Sequence, residues 1–156
     1  MKTTDALRTI LVTGLTAGVC DLVGAIVSSL HRGVTPFRIL QAVASGWLGT
    51  SSYDLGYRSA VLGLVSHFMI AMGAATVFYL ASRAIPFLLE RPLISGILYG
   101  IAVYWFMQLV VLPLSAYPHK RLATWSGIVI GNIVHMICVG TPIALVTKRM
   151  SQAHHG

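Results

Sequence analysis

Residues 10–30 read ILVTGLTAGVCDLVGAIVSSL, an apolar run broken by one charge, Asp21, near its middle. At about 1.5 Å per residue, a helix of this length rises roughly 30 Å, the thickness of the hydrocarbon core of a bilayer. A charge at that depth costs on the order of 3 kcal/mol or more. Asp21 therefore needs a partner or a task, and the rest of the chain is read outward from it.

Counting the first run as about 9–30, three others follow at about 58–82, 93–114 and 124–147. The 156 residues are 56% hydrophobic and 10% charged, whereas a soluble domain carries roughly a quarter charged residues. Backbone amides in lipid must be satisfied within a helix or by closing a barrel, and no alternating ten-residue pattern is present, so the runs are read as helices. The loops at 83–92 and 115–123 are short and hold Pro86, Pro92 and Pro118, which makes consecutive helices antiparallel neighbours. The expected fold is all-α, a single membrane domain over 1–156 built as an antiparallel bundle of four transmembrane helices.

Between the first two runs, Thr35 caps an expected helix that begins at Pro36 and ends near Leu48, stopped by Gly49. Phe37, Leu40, Ala44, Trp47 and Leu48 share one face of it, and Arg38, Gln41 and Ser45 another. At about 20 Å it is too short to span, so it is expected to lie in the membrane interface, as a connector or as a lid.

An even number of crossings puts both termini on one side. That side carries Lys2, Arg8, Arg83, Arg91, Lys148 and Arg149, against Arg32, Arg38, Arg58, Lys120 and Arg121 opposite, a slight bias toward cytoplasmic termini. The net charge of +7 is spread over termini and loops without a basic stripe, which fits anionic headgroups and not nucleic acid. The first run outlasts a signal peptide, and residues 17–19 before Cys20 do not form a lipoprotein cleavage site, so the segment reads as a retained helix. Cys20 and Cys138 fall within helices as two thiols, with no disulfide framework.

Gly14 and Gly18, Gly96 and Gly100, and Gly127 and Gly131 each form a Gly-xxx-Gly pair, the pattern that lets helix backbones approach closely in lipid. Pro113 and Pro142 lie near helix ends, and Pro142 is expected to bend the fourth helix just after Gly140.

Measured from the side opposite the termini, Asp21, His67 and His135 lie roughly 12–17 Å deep at helical rise. Asn132 precedes His135 by three residues, and Tyr104 and Gln108 are four apart on the third helix. With inward orientation these form one polar layer: Asp21, His67, Gln108 or Tyr104, and Asn132 with His135. Three tasks fit it. As a site for protons or a small cationic or polar ligand, the layer uses Asp21 as its coupling carboxylate, with His67, Gln108, Asn132 and His135 around it. As a cofactor site, His67 and His135 hold haem from two helices, or with Asp21 make a two-histidine, one-carboxylate metal site. As a structural device, Asp21 accepts a hydrogen bond from a histidine and the layer fixes helix register in an accessory subunit. Small four-helix drug exporters place a single acid in their first helix in a similar way. No enzyme chemistry is indicated, since Ser28, Ser29, Ser66 and Ser95 lack a nucleophile-elbow pattern. His31 and His119 flank helices as solvated groups, and His154 and His155 belong to a tail.

Gly14–Gly18 with Asp21, residues 37–46 (FRILQAVASG), Gly63-Leu64 with His67, and residues 111–115 (VLPLS) together resemble a group of small bacterial inner-membrane proteins of unknown function. The resemblance covers most of the chain. It implies four helices and the bacterial inner membrane. The expected partners are the lipid bilayer and a second copy or another membrane protein, because a single four-helix bundle leaves little room for a pathway.

Overall fold

The computed structural model describes residues 3–118 and 124–153. Expectations attached to Lys2, His119, Lys120, Arg121, His154 and His155 lie outside the described residues, as does the side chain of His31. Among the described residues all regular structure is helical. In chain order it comprises α1 (Thr3–Ser29), a 3-10 turn (Leu30–Arg32), α2 (Pro36–Leu48), a second 3-10 segment (Gly49–Tyr53), α3 (Tyr57–Ala84), α4 (Phe87–Glu90), α5 (Pro92–Phe106), a π segment (Met107–Val111), α6 (Leu112–Leu114), α7 (Trp125–Val134), a second π segment (His135–Gly140) and α8 (Thr141–Ala153). Four continuous stretches, Thr4–Ser29, Tyr57–Ala84, Pro92–Leu114 and Trp125–Ala153, are long and apolar enough to cross a membrane. The first and last run further into polar sequence than hydrophobicity alone marks, because neither Asp5–Arg8 nor Lys148–Gln152 contains a glycine or proline to stop a helix.

Both π segments end two residues before a proline, Val111 before Pro113 and Gly140 before Pro142. Proline has no N–H, and its ring clashes with the carbonyl four residues back, so a wider turn that moves this carbonyl aside accommodates it within a continuous helix. Thr141 reinforces the second wide turn by donating its hydroxyl to the Met136 carbonyl at 2.7 Å.

The core consists of Ala17, Phe78, Val139, Ile143 and Ala144, packed against Ala74, Tyr99 and Val103. Glycines set the helix approaches around it. A Cβ on Gly100 would lie 2.6 Å from the Met136 Cα, and one on Gly96 would lie 2.8 Å from the Thr141 Cα. These are backbone neighbours that a side chain cannot push aside, so α5 meets the second π segment and the start of α8 at glycine contact. Gly14 and Gly18 face Met72 and Phe68 of α3, and Gly131 lies under the Tyr104 ring. Both glycines of the first two pairs and Gly131 of the third thus contribute packing within the chain.

α2 has the expected limits: Thr35 accepts a hydrogen bond from the Arg38 amide at 3.3 Å, and Gly49 ends the helix at φ 59°. Its faces are used differently from the sequence expectation. Gln41, Ala44 and Ser45 are buried, while Trp47 is 69% exposed. The polar face turns inward because Gly49–Tyr53 folds back beneath it and supplies acceptors: the Gln41 amide nitrogen donates to Ser52 O at 3.2 Å and Tyr53 O at 3.4 Å. It also reaches Ser59 Oγ at 3.4 Å. A Cβ on Gly63 would collide with the Leu40 carbonyl, so α2 rests directly on α3.

Candidate functional site

Ala17 and Val139, at one edge of the core, also form the floor of a partly open cleft of about 810 Å³. α1, α2, α3, α5, both π segments and Leu112–Tyr117 contribute to its walls. Asp21, His67 and His135 all line it. Each comes from a different long helix, and each is half-buried.

The two imidazoles are oriented by backbone carbonyls. His67 Nε2 lies 2.8 Å from Gly18 O and His135 Nδ1 lies 2.9 Å from Gly131 O. A carbonyl oxygen only accepts, so in each ring the bonded nitrogen carries the hydrogen. This leaves Nδ1 of His67 and Nε2 of His135 with lone pairs in the neutral rings. The Tyr104 ring meets the His135 ring edge-on, with centroids 5.3 Å apart, and holds it from the side. Asp21 forms no hydrogen bond or ion pair among the described residues, so the expected bond from a histidine to Asp21 is replaced by histidine bonds to the helix backbone.

Three residues named for the expected polar layer, Tyr104, Gln108 and Asn132, do not line the cleft. The Asn132 amide donates back to Ile128 O at 2.9 Å on its own helix. Gln108 sits inside the first π segment and is absent from the cleft lining. Among the described residues, no three His, Cys, Asp or Glu side chains cluster closely enough to hold an ion, so Asp21, His67 and His135 border one space without forming a coordination triad. Cys20 and Cys138 are free and half-buried, and Cys138 packs against Gly24.

Several site residues escaped the sequence reading. Trp47 lines the cleft from α2 and donates its indole N–H to Ser66 Oγ at 3.0 Å, while Ser66 donates to Leu62 O. Tyr117 lines it from beyond α6; burial pushes its phenol above the ordinary range, and Tyr53 adds to this. Tyr99 donates its hydroxyl to the carbonyl of Ala74, a lining residue, at 2.7 Å. The only sequence cue for these contacts was the high proportion of polar or aromatic groups on small-residue helices. Neither a family model, nor a curated protein, nor a solved structure matches the chain.

Proposed function

We propose that this is a bacterial inner-membrane protein, an antiparallel four-helix bundle with cytoplasmic termini, whose cleft handles protons in exchange for a small cationic or polar ligand. The observation that carries this reading is an Asp21 carboxylate with no hydrogen-bond partner among the described residues, in a mostly apolar cleft beside two imidazoles. A lone carboxylate in such surroundings attracts a cation, and imidazoles and carboxylates at membrane depth are the groups from which proton relays are built. The membrane setting draws support from the four apolar helices and from Tyr57 and Trp125, 82% and 84% exposed at helix starts, where aromatic side chains suit headgroups. A homo-oligomer would extend the path beyond one small bundle.

The test is proton flux into proteoliposomes. Wild type should show pH-dependent flux, and Asp21→Asn should abolish it. Unchanged flux in the variant, or none in wild type, would overturn the proposal.

A further inference from the structure

The cleft is open on one side in a particular way. α3 and the stretch formed by α5 and the first π segment make no extended contact over its length. One hydrogen bond ties α5 directly to α3, and a second ties the segment after α6 to α2, which rests on α3. At one end Tyr99 reaches Ala74 O at 2.7 Å; at the other the Ala116 amide donates to Gly46 O of α2 at 2.8 Å. Between these ties the rim carries Trp47, Ile70, Val110 and Leu114, which line the cleft and are 69%, 41%, 38% and 83% exposed. In a bilayer, a window flanked by membrane-length helices and rimmed by these side chains would open toward hydrocarbon.

We infer that the cleft takes a lipophilic organic cation that enters sideways through the window between α3 and α5 and sets its charge beside Asp21. The inference rests on the proposed reading of the cleft as a cation site and names the class of ligand. The sign follows from the lining, which among the described residues includes the Asp21 carboxylate but no lysine or arginine. The size follows from the volume, about 810 Å³, which falls within the roughly 300–1,000 Å³ of pockets for drug-sized molecules. The apolar body follows from the walls, where Ile39, Val43, Ile70 and Val110 leave little to replace the water shell of a small inorganic ion. An ion of that kind needs several oxygen ligands, and no three acidic, His or Cys side chains cluster among the described residues. A delocalised or shielded organic charge needs no such shell. The Trp47 indole, tied by its N–H to Ser66, adds an aromatic group to the wall, of the kind that favours organic cations.

The test uses the full chain in lipid nanodiscs and equilibrium dialysis with three probes. Tetraphenylphosphonium and tetraphenylborate share size and shape and differ in sign, and tetramethylammonium is a small hydrophilic cation. Saturable binding of tetraphenylphosphonium, none of tetraphenylborate, and at least tenfold weaker binding of tetramethylammonium is the expected result. Asp21→Asn should weaken tetraphenylphosphonium binding at least tenfold and Asp21→Glu should restore it. Ile70→Trp combined with Val110→Trp should slow its association at least tenfold. Equal binding of the cation and the anion, which needs no variant, would overturn the inference, as would phosphonium binding indifferent to Asp21→Asn. Unchanged association in the double tryptophan variant would overturn the sideways route. Tetramethylammonium binding that depends on Asp21, without saturable phosphonium binding, would overturn the lipophilic class and leave the cation reading of the cleft standing. Absence of Asp21-dependent binding by either cation, together with absence of Asp21-dependent proton flux, would overturn both.

Discussion

His67 Nε2 lies 2.8 Å from Gly18 O, joining α3 to α1 one turn before Asp21. The bond points the imidazole at the backbone of α1 and leaves Nδ1 uncommitted. Hydrogen bonds between membrane helices contribute about 0.6 kcal/mol on average and about 1.7 kcal/mol at most. His67→Phe should therefore lower stability by no more than about 2 kcal/mol in reversible unfolding from mixed micelles. A loss well beyond that would make His67 chiefly a structural tie.

Asp21 gives the opposite expectation. It forms no hydrogen bond or ion pair among the described residues, so its charge stands in the cleft without the pairing that would offset its desolvation. Asp21→Asn should leave stability unchanged or raise it while removing function. A marked fall in unfolding temperature would instead assign Asp21 to fixing helix register.

Glycine contact between α5 and the second π segment sets the distance of His135 from the other helices. At Gly100 a new Cβ would lie 2.6 Å from the Met136 Cα. Gly100→Ala should cost about 1–3 kcal/mol, as overpacking does. Gly73→Ala is the matched control, because nothing lies within 4 Å of a Cβ there, and it should be neutral or slightly stabilising. Equal effects of the two substitutions would show that helix propensity and not close approach governs both.

How far the sequence could be read depends on which constraint acts at each residue. Helical rise is nearly constant, so counting residues from the run ends placed Asp21, His67 and His135 at similar depth, and all three border one cleft. Angular position is less constant. Pro113 and Pro142 follow widened turns; Gln108, within the first of them, does not line the cleft, and Asn132 satisfies its amide on its own helix. α2 kept its limits because Thr35 and Gly49 are local signals. Its buried face was not legible, since Gln41 turns inward only when the carbonyls of Ser52 and Tyr53 fold back to meet it. The window between α3 and α5 is tertiary throughout: its ties, Tyr99 to Ala74 and Ala116 to Gly46, join segments far apart in the chain.

Tyr117 supplies a pH-dependent check near the cleft. Burial, with a smaller contribution from Tyr53, raises its phenol above the ordinary tyrosine value. A raised value favours the neutral phenol in the folded state, so its contribution to stability is intact below the unfolded value of about 10. It is lost as pH rises through the higher folded value. An ultraviolet titration of wild type against Tyr117→Phe should assign to Tyr117 an ionisation above that of an exposed tyrosine. An ionisation at or below about 10 would place the phenol in water.

The central claim is that Asp21, His67 and His135 act on protons as one unit. The pH profile of proton flux in proteoliposomes, measured for wild type, His67→Gln and His135→Gln, tests it most directly. The account expects each histidine variant to lower flux by about tenfold or more and to change the shape of the profile, as loss of a proton-transferring group does. Profiles that keep the wild-type shape and height in both variants would contradict it.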